Sequence, residues 1–378
     1  MSLLYKEDWE ETRGRFEAWW AGEYFGRCAL SVTAPRADAP ADPEPPGPGT
    51  PREKWTDLDY RSALAEWHNR RTFYGGEAFP RWDYGYPGHK TLAVFLGCPI
   101  ELRDRTGWRE PVLAGEHIDV ESLELDEEGA NWNFTLDWLR RGARESAGRC
   151  IPAVGAFGGC GDTLAALRGT DRLLIDVADR PGEVRTADQF LMDRWMEVYD
   201  RFHAITREAA QGSTCWFALW SPGKFYATQN DFAYMISPKM FREIFLPTLE
   251  KQTRFLDHAV HHVDGIGNFR HVDALCELPR LQALQILPGA GKPSPLHYMD
   301  LLRKVQDAGK NLHISIAAGE VRSALESLSA RGLFISTRCD SEEEARELLR
   351  QAEKWSRDRR PTATAAAAAG DPPGGTAG

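Results

Sequence analysis

The stretch "NLHISIAAGEVRSALESLSARGLFISTRCDSEEEARELLRQAEKW", residues 311–355, shows the architecture of the chain most directly, because strand-like and helix-like patterns alternate along it. "NLHISIA" and "LFIST" are short apolar runs typical of buried strands. "GEVRSALESLSARG" and "SEEEARELLRQAEKW" have the apolar spacing of helices. Strands that each lead into a helix through a short connection are the repeating unit of a parallel sheet.

The same alternation extends back to about residue 148 and gives six strand candidates, each followed by a helix. The four earlier strands are "CIPAVGAF", "STCWFALW", "AVHHVDG" and "LQALQIL", while "AVFLGCPI" (93–100) predicts a further strand and "CALSVTAP" (28–35) an edge element. No G-x-G-x-x-G motif follows any of them, which disfavours a dinucleotide-binding sheet. The pattern therefore predicts an α/β protein, a (β/α)8 TIM barrel with an elaborated N-terminal region, with an open doubly wound sheet as the alternative.

We expect a single barrel domain over residues 1–355. The segment 34–54, "APRADAPADPEPPGPGTPREK", is rich in proline and glycine and predicts a loop, because proline fits neither strand ladders nor helix interiors. Residues 356–378 offer almost nothing to bury and predict a disordered C-terminal tail.

Charge and cysteine usage exclude several classes of protein. A net charge of -10 argues against nucleic acid or an anionic membrane as a partner. No apolar run is long enough to span a bilayer, and the charged N-terminus lacks the apolar core of a signal peptide, so we expect a cytoplasmic protein. The seven cysteines are dispersed without a C-x-x-C pair, which is not the pattern of a disulfide framework.

The strand "AVHHVDG" carries the polar residues of greatest interest. Strand alternation places His262 and Asp264 on one face, toward the barrel mouth, and His261 on the other. Cys339 follows a later strand, and three protein ligands with an open fourth position are typical of catalytic zinc. Each residue also has an ordinary interpretation: a hydrogen-bonded histidine, an aspartate of an Asp-Gly turn, and a buried thiol beside a helix start.

Other polar and aromatic residues fall on or near predicted strand ends, where barrels bind their substrates. Core packing and helix capping are the alternatives for each of them. The residues expected to contact a small-molecule substrate are Trp220, Tyr226, Asn230, Asp231, Asp162 and His271, with Trp216 of similar standing and Asp83 and His89 as weaker candidates in the loop 75–90.

Four segments together resemble the uroporphyrinogen decarboxylase superfamily: "DTLAALRGTDRLLIDVADRPGEV", "QNDFAYMISPKMFREIFLPTLEKQ", "HHVDGIGNFRHVDAL" and "FISTRCDSEEEARELL". The resemblance covers roughly residues 150–355 well and the N-terminal part more loosely. It implies a single (β/α)8 barrel and a homodimer, as barrels of this superfamily often form.

The resemblance does not imply decarboxylation of uroporphyrinogen itself. The true decarboxylases carry an N-terminal Arg-Gln-Ala-Gly-Arg-Tyr signature whose arginines hold the carboxylates of the substrate. The corresponding region of this chain, "WAGEYFGRCALSV", retains at most Arg27. A substrate with eight carboxylates would therefore find few cationic partners.

The other branch of the superfamily consists of zinc-dependent methyltransferases that move a methyl group between a corrinoid protein and a thiol. Their His-x-Cys…Cys motif resembles His262, Asp264 and Cys339, with aspartate in place of the first cysteine. The resemblance thus implies zinc bound by these three residues. No D-x-H-x-x-G corrinoid signature occurs in the chain, so a corrinoid would belong to a separate partner protein.

We therefore expect a group-transfer enzyme, with metal-dependent methyl transfer to a thiol or similar nucleophile and with His262 and Asp264 as catalytic residues. Two alternatives stay open. One is a metal-free decarboxylase, a lyase that acts on a carboxylic acid with His262 and Asp264 as acid and base. The other is a non-catalytic barrel that binds a small molecule.

Overall fold

The structure, a computed structural model, describes residues 2–83, 85 and 87–359. In chain order its strands are β1 (Ala29–Pro35), β2 (Thr72–Gly76), β3 (Arg81–Trp82), β4 (Ile100–Leu102), β5 (Gly107–Arg109), β6 (Ile151–Pro152), β7 (Phe225–Gln229), β8 (His258–Asp264), β9 (Ala283–Leu287), β10 (Asn311–Ser315) and β11 (Leu333–Arg338).

The helices surround the strands, and none of those in the described part of the chain has the length and apolar character needed to cross a membrane. Short 3-10 turns at Asp231–Met235 and Ile266–His271 and a π-helical turn at Phe241–Phe245 lie between them. The α-helices are α1 (Trp9–Trp20), α2 (Pro51–Thr56), α3 (Leu58–Arg71), α4 (Leu92–Phe95), α5 (Ala130–Glu145), α6 (Cys160–Arg168), α7 (Thr170–Asp179), α8 (Pro181–Ala210), α9 (Pro238–Met240), α10 (Leu246–Phe255), α11 (Val272–Cys276), α12 (Met299–Asp307), α13 (Val321–Ser327) and α14 (Glu342–Trp355).

A seven-stranded sheet in the order β2-β1-β11-β10-β9-β8-β7 forms the centre of the fold. All neighbours in it are parallel except β2, which pairs antiparallel with β1. A second, two-stranded sheet pairs β3 with β6 in parallel, and β4 pairs with β5 as an antiparallel hairpin. The predicted α/β class with a mostly parallel sheet is confirmed.

The hydrogen-bonded ladders of the described strands do not close into an eight-stranded barrel. Strand β6 pairs with β3 rather than with a strand of the large sheet. Between β6 and β7 the chain makes an irregular contact instead, in which the Val154 N–H donates to the Thr214 carbonyl at 3.0 Å. The structure thus supports the parallel sheet of the predicted barrel but does not show that the sheet closes.

Two predicted strands are wrong. The segment 213–220 is a compact loop with a single bridge between Ser213 and Ser221, and the strand β7 follows it. The Thr214 hydroxyl contacts the carbonyls of Phe217 at 3.3 Å and Leu219 at 2.7 Å, which closes the loop on itself. The other error is at 93–100, where α4 begins after Thr91.

The N-terminal and C-terminal predictions also change in detail. Strand β1 is not an edge strand, because it lies between β11 and β2. The proline-rich connector is irregular over 36–50, between the end of β1 and the start of α2.

The chain after α14 packs on the body of the protein as far as residue 359. The Ser356 hydroxyl accepts a hydrogen bond from the Cys28 N–H at 3.1 Å, and Asp358 pairs with Arg331 at 2.6 Å. The prediction of disorder is therefore wrong for 356–359, and its remainder, 360–378, lies outside the described residues.

A buried carboxylate joins the N-terminal region to the large sheet. Glu77, directly after β2, is fully buried and accepts two hydrogen bonds from Arg27, at 2.7 and 2.8 Å. It also accepts one from Arg15 and one from the Leu30 N–H of β1, each at 2.5 Å. Burial alone would raise the pKa of Glu77, but these partners, Arg27 first, hold it below its usual value.

We predict that Glu77→Gln lowers the free energy of unfolding by about 3 to 5 kcal/mol at pH 7, because it leaves the Arg27 charge buried without its counter-charge. Since the pKa of Glu77 is lower in the folded protein, its contribution is present above the unfolded value of 4.5 and is lost as the pH falls below it. Urea denaturation between pH 4 and 7 measures this difference.

Glu326→Gln is the matched control, because Glu326 forms an exposed pair with Arg322 on one helix. Its removal should cost well under about 1 kcal/mol. Equal losses for the two variants would contradict the anchoring role of Glu77.

Candidate active site

Three polar side chains form a row across neighbouring strands at their carboxyl ends. Gln229 of β7 is the register partner of His262 in β8, and His262 is the register partner of Gln285 in β9. Partner residues of adjacent parallel strands project on the same face of a sheet, so the three side chains lie side by side. His262 occupies the centre of the row.

The neighbours of His262 determine how its ring is held. Its Nδ1 is hydrogen-bonded to the side-chain oxygen of Gln285, an acceptor, so Nδ1 carries the proton and Nε2 has a free lone pair. Nε2 lies 3.8 Å from a carboxylate oxygen of Asp264. The side chain is 11% exposed, and this opening is toward the cavity described below.

The ring of His262 is neutral at physiological pH. Burial lowers its pKa, and the Gln285 hydrogen bond and the charges of Asp264 and Asp162 only partly oppose this effect. A neutral histidine with a lone pair on Nε2 is a base that can accept a proton from a bound molecule.

Two carboxyl groups lie close to the row. Asp162, in the first turn of α6, accepts hydrogen bonds from Gln229 Nε2 at 2.8 Å and from the Phe232 N–H at 3.0 Å. Burial raises the pKa of Asp162, while these bonds and the charge of Arg109 oppose the shift.

Asp231 begins the turn after β7 and is open to solvent from the cavity. Partial loss of hydration against the surrounding protein raises the pKa of Asp231 to about 7, and the negative charges of Asp162 and Asp264 add to the shift. Asp231 is therefore partly protonated near neutral pH and can donate a proton there.

A cavity of about 1040 Å³ opens in front of these groups, a size suited to a small molecule. Its walls combine titratable side chains with aromatic and apolar ones. Among the lining residues are His262, Asp231, Asp162, Asp83, Gln229, Arg81, Arg109, Trp216, Phe232, Met235 and Trp108.

Trp216 forms the aromatic wall beside His262. Its ring meets the imidazole edge to face, with centroids 5.1 Å apart and an interplanar angle of 89°. Arg81 fixes this wall by donating to the carbonyls of Cys215 at 2.8 Å and Trp216 at 3.1 Å. Arg81 also pairs with Asp83 at 3.3 Å, and Asp83 lies in the cavity wall.

The predicted zinc ligands do not come together as a set. His262 and Asp264 are neighbours, but Cys339 is buried beyond β11, where its N–H donates to the Thr33 carbonyl at 2.9 Å. The charges that act on its thiol are those of Glu344 and Asp340, at the start of α14. Within the described ranges, no three His, Cys, Asp or Glu side chains are arranged to hold a metal ion.

Two of the predicted substrate contacts, Trp220 and Tyr226, lie in the core instead of the cavity wall. Trp220 is fully buried, and its Nε1–H donates to the Ala210 carbonyl at 3.0 Å. The Tyr226 hydroxyl accepts a hydrogen bond from the Phe157 N–H at 2.9 Å, inside an aromatic cluster. Large aromatic side chains contribute most to the free energy of folding when fully buried, which explains both positions.

Asn230 and His271 support the cavity from behind. The Asn230 side chain accepts a hydrogen bond from the Ala233 N–H at 3.2 Å, and His271 Nε2 donates to the Ala233 carbonyl at 2.9 Å. Both therefore hold the 3-10 turn that carries Asp231. Asp162 and Asp231, by contrast, line the cavity.

Several residues of the site were missed in the sequence. Gln285 had a usable signal, since it is a polar residue inside the apolar run "LQALQIL". Gln229 had no such signal, because the predicted strand was placed at 213–220 and the strand that positions Gln229 is β7. Arg81, Arg109 and Trp108 come from the N-terminal half, where spacing does not indicate which residues face the cavity.

Comparison with known proteins identifies a solved structure with a similar fold. No family model and no curated protein sequence matches it. Its structure is similar to that of a methyltransferase from Methanosarcina mazei, with a TM-score of 0.60 and 13% sequence identity over 91% of this chain and 98% of the other. At this identity the similarity establishes a shared fold along nearly the whole of both chains.

We predict that the Asp231 carboxyl titrates near pH 7 and that Asp264→Asn lowers its pKa, because the substitution removes a neighbouring negative charge. Carbon-13 NMR of labelled aspartate measures this directly. Asp273→Asn is the control, since Asp273 is an exposed residue paired with Lys304. If both substitutions change the pKa of Asp231 equally, the charge of Asp264 has no local effect on Asp231.

Proposed function

We propose that the protein is a group-transfer enzyme that moves a methyl group to a thiol or similar nucleophile in the cavity in front of β7, β8 and β9. The observation that carries the proposal is the Gln229–His262–Gln285 row, which presents a neutral histidine base to that cavity. The fold shared with the methyltransferase supports methyl transfer as the type of group transfer.

The chain supplies the proton chemistry that such a transfer needs. The acceptor loses its proton to Nε2 of His262, and its electron pair attacks the methyl carbon as the bond from that carbon to the donor breaks. The electron pair of the broken bond leaves with the donor group, and the proton of the acceptor stays on His262 until it passes to solvent. The Asp264 carboxylate, 3.8 Å from Nε2, stabilises the imidazolium that forms.

No step of this mechanism is assigned to a metal, because Cys339 does not join His262 and Asp264 in the described structure. Zinc bound by these three residues stays a prediction with its own test below. For the methyl donor we propose a corrinoid carried by a separate protein, since the chain has no corrinoid signature of its own.

We predict that His262→Gln lowers kcat/KM for methyl transfer by about 100-fold or more, because it removes the general base. The assay follows the carbon-13 methyl group of labelled methylcobalamin into a panel of small thiols by mass spectrometry. His117→Ala is the matched control, because His117 is 71% exposed and pairs with Glu183 on the surface. Full activity in His262→Gln would remove the basis of the proposal.

The zinc prediction is tested by Cys339→Ala. Because Cys339 is buried at the start of α14, away from the cavity wall, we expect methyl transfer to change less than about twofold, as for a substitution outside the site. Zinc content is measured on the same preparations. A parallel loss of zinc and activity in this variant would show that the three predicted ligands do converge.

A metal-free decarboxylase is the second candidate, and the protonated state of Asp231 favours it. A carboxyl group with a pKa of about 7 can protonate the carbanion left when a carboxylate departs as carbon dioxide. Release of labelled carbon dioxide from small carboxylic acids, without methyl transfer to any thiol, would select this function. Binding of such molecules with neither reaction would indicate a non-catalytic barrel.

A further inference from the structure

A small cavity of about 10 Å³ lies behind the floor of the active-site cavity. Gln229 belongs to the walls of both cavities, so the small one directly backs the row that contains His262. Asp188 of α8, Gln252 of α10 and Asn230 complete its polar lining.

Asp188 has an unusual environment for a carboxyl group. It is fully buried, and neither of its oxygens has a hydrogen-bond partner among the described residues. The Thr248 hydroxyl and the Gln252 Nε2, both buried nearby on α10, also have none there. Thr248 is close enough to act on the charge of Asp188, but the pair does not have the geometry of a hydrogen bond.

An ionised carboxylate in this position would be very unfavourable, because burial removes its hydration and the nearby Thr248 hydroxyl offsets only part of that loss. Of the described residues that line the small cavity, none is Lys, Arg or His. The charge that does act on Asp188 is that of Asp162, which has the same sign. Burial and this repulsion both raise the pKa of Asp188 well above its usual value.

We propose that Asp188 is a neutral carboxylic acid at physiological pH and that it binds one buried water molecule together with Gln252. A volume of about 10 Å³ is close to the minimum that holds one water. The water can accept from Gln252 Nε2 and from the protonated oxygen of Asp188. One molecule thus gives Gln252 and Asp188 each a hydrogen-bond partner.

Asp188 is then a positioning residue of the active site, an assignment that rests on the function proposed above. It fills the space behind Gln229 without placing a second negative charge beside Asp162. The charge of Asp162 helps to raise the pKa of Asp231, which lines the main cavity. A proton on Asp188 removes a competing negative charge beside Asp162, so Asp162 can keep its own charge.

Infrared spectroscopy of the full-length protein with carbon-13-labelled aspartate tests the proposal without any activity assay. We expect the C=O band of a protonated carboxyl group to persist at pH 8, where ordinary aspartates are ionised, and to be missing in Asp188→Asn. Absence of this band from the wild-type protein at pH 8 would overturn the proposal. The outcome does not depend on whether methyl transfer is detected.

A charge test accompanies the spectrum. If Asp188 is already neutral, Asp188→Asn shifts the NMR-measured pKa of Asp162 by less than about 0.3 unit, because no charge is lost beside it. A clear downward shift would show that Asp188 is ionised and would overturn the proposal. Asp193→Asn, on an exposed residue of the same helix paired with Lys251, is the control.

Asp188→Leu tests the bound water independently of the protonation state of Asp188. It removes a polar partner of the water and leaves Gln252 unsatisfied, so its Tm should be lower than that of Asp188→Asn. Equal or higher thermal stability of Asp188→Leu would contradict the bound water. If Asp188→Leu does not fold, a high-resolution crystal structure of the wild-type protein decides the same point by the presence or absence of the water.

Discussion

The ion pair between Glu77 and Arg27 is the interaction on which the rest of the fold depends. A buried carboxylate that accepts from Arg27, Arg15 and the Leu30 N–H connects α1, the start of β1 and the end of β2 at one point. Buried ion pairs add little net stability over apolar contacts, but loss of one partner leaves an uncompensated buried charge and is costly. The pair lies where β1 enters the sheet beside β11, so its loss would act on that part of the fold.

The active site depends on strand register in the same way. Gln229, His262 and Gln285 meet only because β7, β8 and β9 are aligned at these residues. A slip of one residue in β8 would turn His262 to the opposite face and bring His261 into the row. In the observed register His261 is buried against the Thr228 hydroxyl at 2.9 Å, which helps to hold the strand in place.

Sequence patterns predicted the parts of this structure that have a local signal. Repeated strand-helix units indicated the parallel sheet, and alternation along β8 placed His262 and Asp264 on one face. The aromatic run at 213–220 was mistaken for a strand, because apolar content does not distinguish a strand from a loop closed by Thr214. Whether Cys339 meets His262 depends on how distant strand ends are directed in space, which spacing along the chain does not encode.

The identity of the partner at Nδ1 decides what His262 can do. A carboxylate in the place of Gln285 would raise the pKa of the imidazole and keep it protonated, which would make it an acid. The amide oxygen of Gln285 orients the ring just as firmly but carries no charge, so burial prevails and the ring stays neutral. Asp264 lies on the other side, at Nε2, where its charge acts most strongly once a proton has arrived. The site therefore has a base that is neutral before the reaction and a counter-charge for the cation formed during it.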